Sequence, residues 1–258
     1  MLPSFYIMNK VLLIDADALI YYEAFKEQSI EDALVSIKER VLQMCRDNNC
    51  YNYVGFLTGG GPDRCFRYDI AKTKPYKGAR TAEKPALFDP IKRYLKDELH
   101  CQIFSGLEAD DLVAYWKYNL GIDSIICSPD KDVLYQIPGT HYNYKWNSYI
   151  DRGRLVTTSE EAANKFLWQQ CMTGDSTDGI PGITGIGEKK AIAILDADPN
   201  TSYEIAVFNK YRAVFGIAEG LIKMLETYRL VYLLRTPTDI LRELNITLDI
   251  PIIRQIEE

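Results

Sequence analysis

Apolar residues run without a break through Val11-Leu12-Leu13-Ile14 and stop at Asp15. A short apolar run ending in an acid reads as a strand buried on both faces, as in parallel sheets. Tyr53-Val54-Gly55-Phe56-Leu57, Gln102-Ile103-Phe104 and Ser124-Ile125-Ile126-Cys127 read as further strands. Between these runs the patterning turns helical, and helices are predicted over about 18–25, 30–46, 87–99 and 108–119. Strands alternating with helices predict an α/β fold on a mostly parallel central sheet flanked by helices. Ligands of such sheets gather beyond the carboxyl ends of the strands. Asp15 and the loop 128–132 fall at such ends. After about Ser159 the chain becomes mainly helical, interrupted by a glycine-rich stretch over 174–187 and resuming with a helix at about 188–195.

Between Gly59 and Pro85 neither period holds. This stretch carries Arg64, Arg67, Lys72, Lys74, Lys77, Arg80 and Lys84 against two acids, Asp69 and Glu83. It is too long for an ordinary connection, and long loops are often functional.

Composition narrows the chemistry more than the class. The 258 residues suffice for one well-cored domain, or a large domain with a smaller appendage. No apolar run approaches membrane-spanning length. The segment 1–10 is short, runs directly into Asp15 and Asp17, and does not read as a signal peptide; Met8 is an alternative start. Six cysteines form no CxxC pair and are accompanied by His100 and His141 alone, which argues against zinc and for a reducing, intracellular setting. So few histidines leave carboxylates, lysines or metals to carry any chemistry. The net charge of −6 argues weakly against nucleic acid, but the location of charge matters more than its sum.

Four acidic clusters stand out: Asp15 with Asp17, Glu108-Ala109-Asp110-Asp111, Asp130-Lys131-Asp132, and Asp175-Ser176-Thr177-Asp178. Taken singly, each is what helix starts and turns prefer. Taken together, they repel one another unless cations sit among them. Mg²⁺ or Mn²⁺ favours oxygen ligands of this kind. Two such ions about 4 Å apart activate water and stabilise the leaving oxygen in phosphodiester cleavage. Two divalent ions would also turn the formal −6 into about −2.

The most specific stretch is Gly179-Ile180-Pro181-Gly182-Ile183-Thr184-Gly185-Ile186-Gly187-Glu188-Lys189-Lys190-Ala191. Its glycines permit positive φ and close backbone approach. The helix after it points free N–H groups at whatever the turn meets, a phosphate-binding geometry reinforced by Lys189 and Lys190. The Walker spacing is absent, so a P-loop is not expected. A plain tight turn between helices is the alternative.

The ordered set LLIDADALIYY, FRYDIAKTKPYKGAR, LEADDL, SPDKD and TGDSTDGIPGITGIGEKKA resembles the structure-specific 5′ nuclease superfamily of flap endonucleases, phage 5′–3′ exonucleases and polymerase 5′ nuclease domains. The resemblance runs from about Val11 to Leu195. It implies a PIN-like, resolvase-like α/β catalytic domain over 1–170 with a small basic arch at about 60–86. A helix–three-turn–helix and C-terminal helices would fill 171–258. It implies metal-dependent cleavage of DNA with free 5′ ends or flaps by two Mg²⁺ ions, with Mn²⁺ as a substitute and K⁺ at the turn. Asp15, Glu108 and Asp110 match ligands of a first ion, and Asp111, Asp130, Asp132, Asp175 and Asp178 the set around a second. Lys77 and Arg80 match the catalytic cations that hold the scissile phosphate, with Arg67 assisting. Tyr21 matches an aromatic that stacks on a base, against a core-packing alternative. Gly182, Gly185, Gly187, Lys189 and Lys190 match the DNA-holding turn. A monomer in the cytoplasm of a bacterial or phage-infected cell, acting on DNA and on RNA–DNA hybrids, completes the implied picture.

One position departs from the family. Where it carries an acid at the end of the second strand, this chain has Thr58 and Gly59. Asp63 or Asp17 substitutes, or the first ion binds more weakly, or the protein binds DNA without cutting it. A segment as basic as 64–84 is also one that orders on meeting DNA. The ending Ile250-Pro251-Ile252-Ile253 reads as packing.

Overall fold

The computed structural model describes residues 10–26, 29–79, 83–145 and 154–256. Strand β1 (Val11–Asp15) is buried along its whole length. It pairs in parallel with β2 (Asn52–Phe56) on one side and with β3 (Ser124–Cys127) on the other. Beyond β3, β4 (Gly139–Asn143) is parallel and β5 (Arg154–Thr158) antiparallel, while β8 (Arg254–Gln255) closes the far edge antiparallel to β2. The order is therefore β5-β4-β3-β1-β2-β8. The expected strand at 102–104 reduces to one bridge, Phe56 with Gln102. The loop gives one register position to β2, and the edge is then taken by β8, whose paired residues lie far along the chain.

Helices cover both faces. On one, α1 (Asp17–Lys26), α2 (Ile30–Asn48) and α4 (Phe88–Asp97) bury Leu19, Ile37, Val41, Ile91 and Leu95 against Leu12 and Ile14. On the other, α5 (Ala109–Asn119) buries Leu112, Val113 and Trp116 against Val11, Leu13 and Phe56. The alternate residues of β1 thus divide between two cores, as the period of a strand requires. Ser29 caps α2 through Asp32 N–H at 3.1 Å, and Asn49 ends it in a left-handed conformation.

A third core joins α7 (Glu160–Thr173), α8 (Glu188–Leu195), α9 (Tyr203–Phe215) and α10 (Ile217–Val231). It includes Cys65 and Tyr76 from the basic segment. Four residues of that segment form a short helix, α3 (Arg67–Ile70). Glu226 on α10 accepts hydrogen bonds from Lys72 N–H (2.6 Å), Thr73 N–H (2.7 Å) and the Thr73 hydroxyl (2.7 Å). The stretch 64–79 thus packs against the helical layer through Cys65, Tyr76 and the Glu226 contacts. Buried Cys65, Phe66 and Tyr76 outweigh its charge. At the C-terminus, Pro251 is buried but Ile250 and Ile252 are exposed, so the tail packs less than its composition implies.

Candidate metal and DNA site

The acids meet beyond the carboxyl ends of β1 and β3. Asp15, the last residue of β1, accepts from the Ser128 hydroxyl (2.8 Å) just past β3, and from Asp17 N–H (3.3 Å). Glu108 precedes α5, placing Glu108, Asp110 and Asp111 with ligand oxygens within 4.8 Å of one another. Asp130 caps α6 (Lys131–Gln136), accepting from Asp132 N–H at 2.7 Å. Asp175 ends β6 (Gly174–Asp175), a two-residue ladder with β7 (Ile180–Pro181), and Asp178 lies in the connecting turn. The turn that follows α7 therefore supplies both the last two acids and the glycines expected to face DNA.

Two largely buried cations of the chain, Arg67 and Lys77, stand among these acids, and the exposed Lys131 lies 3.3 Å from Asp175. Arg67 is buried and grips Asp111 with both nitrogens, at 2.5 and 2.8 Å, and Glu108 at 3.1 Å. Its remaining donors meet the Leu230 and Tyr232 carbonyls at 2.9 Å. Arg67 is thus held inside the acidic site, and both Asp111 oxygens accept from it while Asp111 also stays among the three carboxylates close enough to share an ion. Lys77, at φ 54°, pairs its ammonium with Glu108 and lies 3.8 Å from Asp178. The neighbouring Tyr76 hydroxyl contacts Glu108 at 2.7 Å and Asp178 at 3.1 Å. Tyr76 and Lys77 so connect the two halves of the acidic site. Sequence reasoning passed over Tyr76, though it stands inside the Tyr76-Lys77-Gly78 motif. It also missed Gln170, which donates to Asp132 at 2.7 Å from mid-helix and carries no local signal.

The charges record this arrangement. Burial alone would raise Glu108, but Lys77 and Arg67 hold it down to about 2. Burial, then Glu108 and Asp111, push Asp110 well up. Burial and Asp17 raise Asp15 to about 7, and burial and Asp130 raise Asp132 to about 7. Asp130 is also raised, by burial with contributions from Asp178 and Asp175. A cavity of about 20 Å³, room for one water-sized body, is bordered by Asp110, Asp132, Asp175, Asp178, Tyr76 and Arg67, with apolar residues including Ile180 and Leu230 closing the rest. Carboxylates held at such cost around a small polar cavity fit a hard divalent cation, which would relieve their repulsion.

The remaining expected residues divide. Gly185 takes φ 78° in open space and Gly187 precedes α8 with nothing near its missing side chain. Lys189 and Lys190 are exposed on the first turn of α8. Gly182 differs: a side chain there would collide with the Met172 and Thr173 backbone, so the close packing of the turn on α7 requires glycine at this position. Tyr21 is 42% exposed and sets its ring edge-on to Phe88 at 5.3 Å, half core and half surface. Arg80 lies outside the described residues.

An α/β sheet with carboxylates converging past its strand ends, backed by a helix–turn–helix layer, is the architecture of a nuclease-type metal centre. The chain is similar in sequence to proteins named as flap endonucleases, 5′–3′ exonucleases and DNA polymerase I. No family model matches it. It is 32% identical over 142 residues to DNA polymerase I of Rhizobium leguminosarum, covering 52% of this chain but 14% of the polymerase. It is 28% identical over 199 residues to flap endonuclease Xni of Shewanella halifaxensis, covering 73% of this chain and 77% of that protein. In fold it resembles the bacteriophage T5 D15 protein co-crystallized with metal ions, with a TM-score of 0.64, 18% identity, and 91% and 92% of the two chains covered.

Proposed function

We propose that the protein is a divalent-metal-dependent 5′ nuclease that hydrolyses phosphodiester bonds in DNA with free 5′ ends or 5′ flaps. The observation that carries this reading is the convergence of Asp15, Glu108, Asp110, Asp130, Asp132, Asp175 and Asp178 at the strand ends, joined to a glycine-lysine turn. The relatives named for flap cleavage and polymerase function support it. Asp15, Glu108 and Asp110 would hold a first Mg²⁺, and Asp130, Asp132, Asp175 and Asp178 a second, with Mn²⁺ able to replace either. Bound, these ions would supply a nucleophile at neutral pH and offset charge on the phosphoryl oxygens. The chain's own part is to position and to hold charge. Lys77, which pairs with Glu108 and lies near Asp178, would exchange a carboxylate for an incoming phosphate. Arg80 would join it. Gly185, Gly187, Lys189 and Lys190 would grip the duplex backbone without reading bases, with K⁺ on the turn's carbonyls and Tyr21 against a base.

In this reading, 1–170 does the chemistry and 171–258 holds DNA, although residue 170 lies inside α7, so the division of labour crosses a continuous helix. RNA–DNA hybrids and a monomeric state are included in the proposal. So is an intracellular location, supported by six free, buried cysteines. Among the described residues no helix is long and apolar enough to cross a membrane. The test is incubation of end-labelled 5′-flap and nicked duplexes with Mg²⁺. Cleavage near the junction that EDTA abolishes is the expected result. Tight DNA binding with no product in Mg²⁺ or Mn²⁺ would leave a non-catalytic DNA-binding protein instead.

A further inference from the structure

The end of β2 is the weak point of the acidic ring, because Thr58 brings no charge there. Each polar group of its backbone and side chain is engaged by a different element. Its N–H donates to Asp17 Oδ1 at 3.1 Å, its hydroxyl oxygen accepts from Ala109 N–H at 3.0 Å, and its carbonyl accepts from the Lys92 ammonium at 2.6 Å. Thr58 is therefore a bracket that ties the first turns of α1 and α5 together. What the bracket holds is the Asp17 carboxylate. We infer that Asp17 supplies to the first ion the carboxylate that strand β2 lacks. This rests on reading the site as a divalent-metal centre.

An acid in the first turn of a helix has an ordinary purpose, to offset the helix dipole and cap its free N–H groups. Asp17 is differently engaged. Its carboxylate bonds an N–H on another element, 41 residues along the chain. It faces the like charges of Asp15 and Glu108 and the cation of Lys92. Asp17 N–H meanwhile donates to Asp15, so the two carboxylates belong to one corner. The other candidate, Asp63, is exposed and borders a separate groove with Lys96, His100, Gln102 and Arg254. The start of α1 therefore brings a carboxylate to the end of β2, where the strand itself carries none.

The test separates charge from hydrogen bonding. Asp17→Asn keeps an oxygen to accept from Thr58 N–H but removes the charge. Mn²⁺ binding is measured by electron paramagnetic resonance of the free ion, with an uncleavable phosphorothioate 5′-flap duplex present. The wild-type chain is expected to bind two ions. Asp17→Asn should bind one of them at least tenfold more weakly, with its circular dichroism spectrum unchanged. The double variant Asp17→Ala with Thr58→Asp, which returns the acid to the strand, should recover affinity to within about threefold of wild type. Two ions bound by Asp17→Asn within twofold of wild-type affinity would overturn the inference and leave Asp17 a helix-start acid. A wild-type chain that binds DNA but no Mn²⁺ would instead overturn the metal reading itself.

Discussion

Glu108 and Asp111 are buried against two cations of their own chain, whereas Asp130, Asp132, Asp175 and Asp178 have the exposed Lys131 and the far side of Lys77. Both groups crowd like charges, but they resolve the crowding differently. In the first, Arg67 is locked by two carboxylates and two backbone carbonyls, so its half of the site is pre-assembled. In the second, backbone N–H groups, Gln170 and the exposed Lys131 hold the acids, and under the proposed function an outside cation would relieve their remaining repulsion. The difference separates an architectural ion cluster, part of the fold's stability, from one that a bound ion would stabilise under the proposed function. Asp110 belongs to the second kind, although it sits in sequence between two members of the first.

Arg67→Ala gives the largest expected effect. It strands Asp111 and Glu108 without their cation in a buried site, and should cost about 3–5 kcal/mol of unfolding free energy. Urea denaturation measures it, and a loss under about 1 kcal/mol would show that water reaches the pair and that the two halves are alike. Next, Asp130→Asn should lower cleavage of a 5′-flap duplex in Mg²⁺ by roughly 100-fold or more, with DNA affinity changed little. Normal turnover would remove Asp130 from the metal set.

A third test uses pH. Asp15 and Asp132 are raised to about 7 in the folded chain and titrate near 4 when unfolded. Between those values the folded state holds more protons, so stability falls as pH rises. The metal-free chain should melt lower at pH 8 than at pH 5.5, and Mg²⁺ should raise the melting temperature more at pH 8, where the carboxylates are free to bind it. A flat profile without metal would mean that the second group is as well compensated as the first. The smallest effect expected is that of Lys189→Ala, which should weaken duplex binding a few-fold and reduce the slope of log affinity against log salt by about 1. An unchanged slope would place α8 off the DNA.

Much of this was readable along the chain, and the reasons are local. β1, β3 and α8 lie where their apolar patterns predict them, because a buried strand and an amphipathic helix impose their period on the residues that form them. The four acidic clusters and the glycine-lysine turn are likewise contiguous motifs. Their chemistry is set by residue type and spacing. β5 and β8 escaped notice, since an edge strand with one covered face carries a weaker apolar signal and is defined by its partner, and inner β4, Gly139-Thr140-His141-Tyr142-Asn143, holds no apolar run to mark it.

What the sequence by itself determined is therefore the alternating α/β scheme, the stock of carboxylates and the turn that follows them. Tertiary structure decided which charge each carboxylate meets. Arg67 reads as one more cation in a basic loop, yet folding buries it on Asp111, 44 residues away, because Cys65, Phe66 and Tyr76 carry the loop into the cores. Asp17 reads as a helix-start acid, yet Thr58 draws it to the end of β2. Pairing of charges depends on distance and burial, and neither is written in the order of residues.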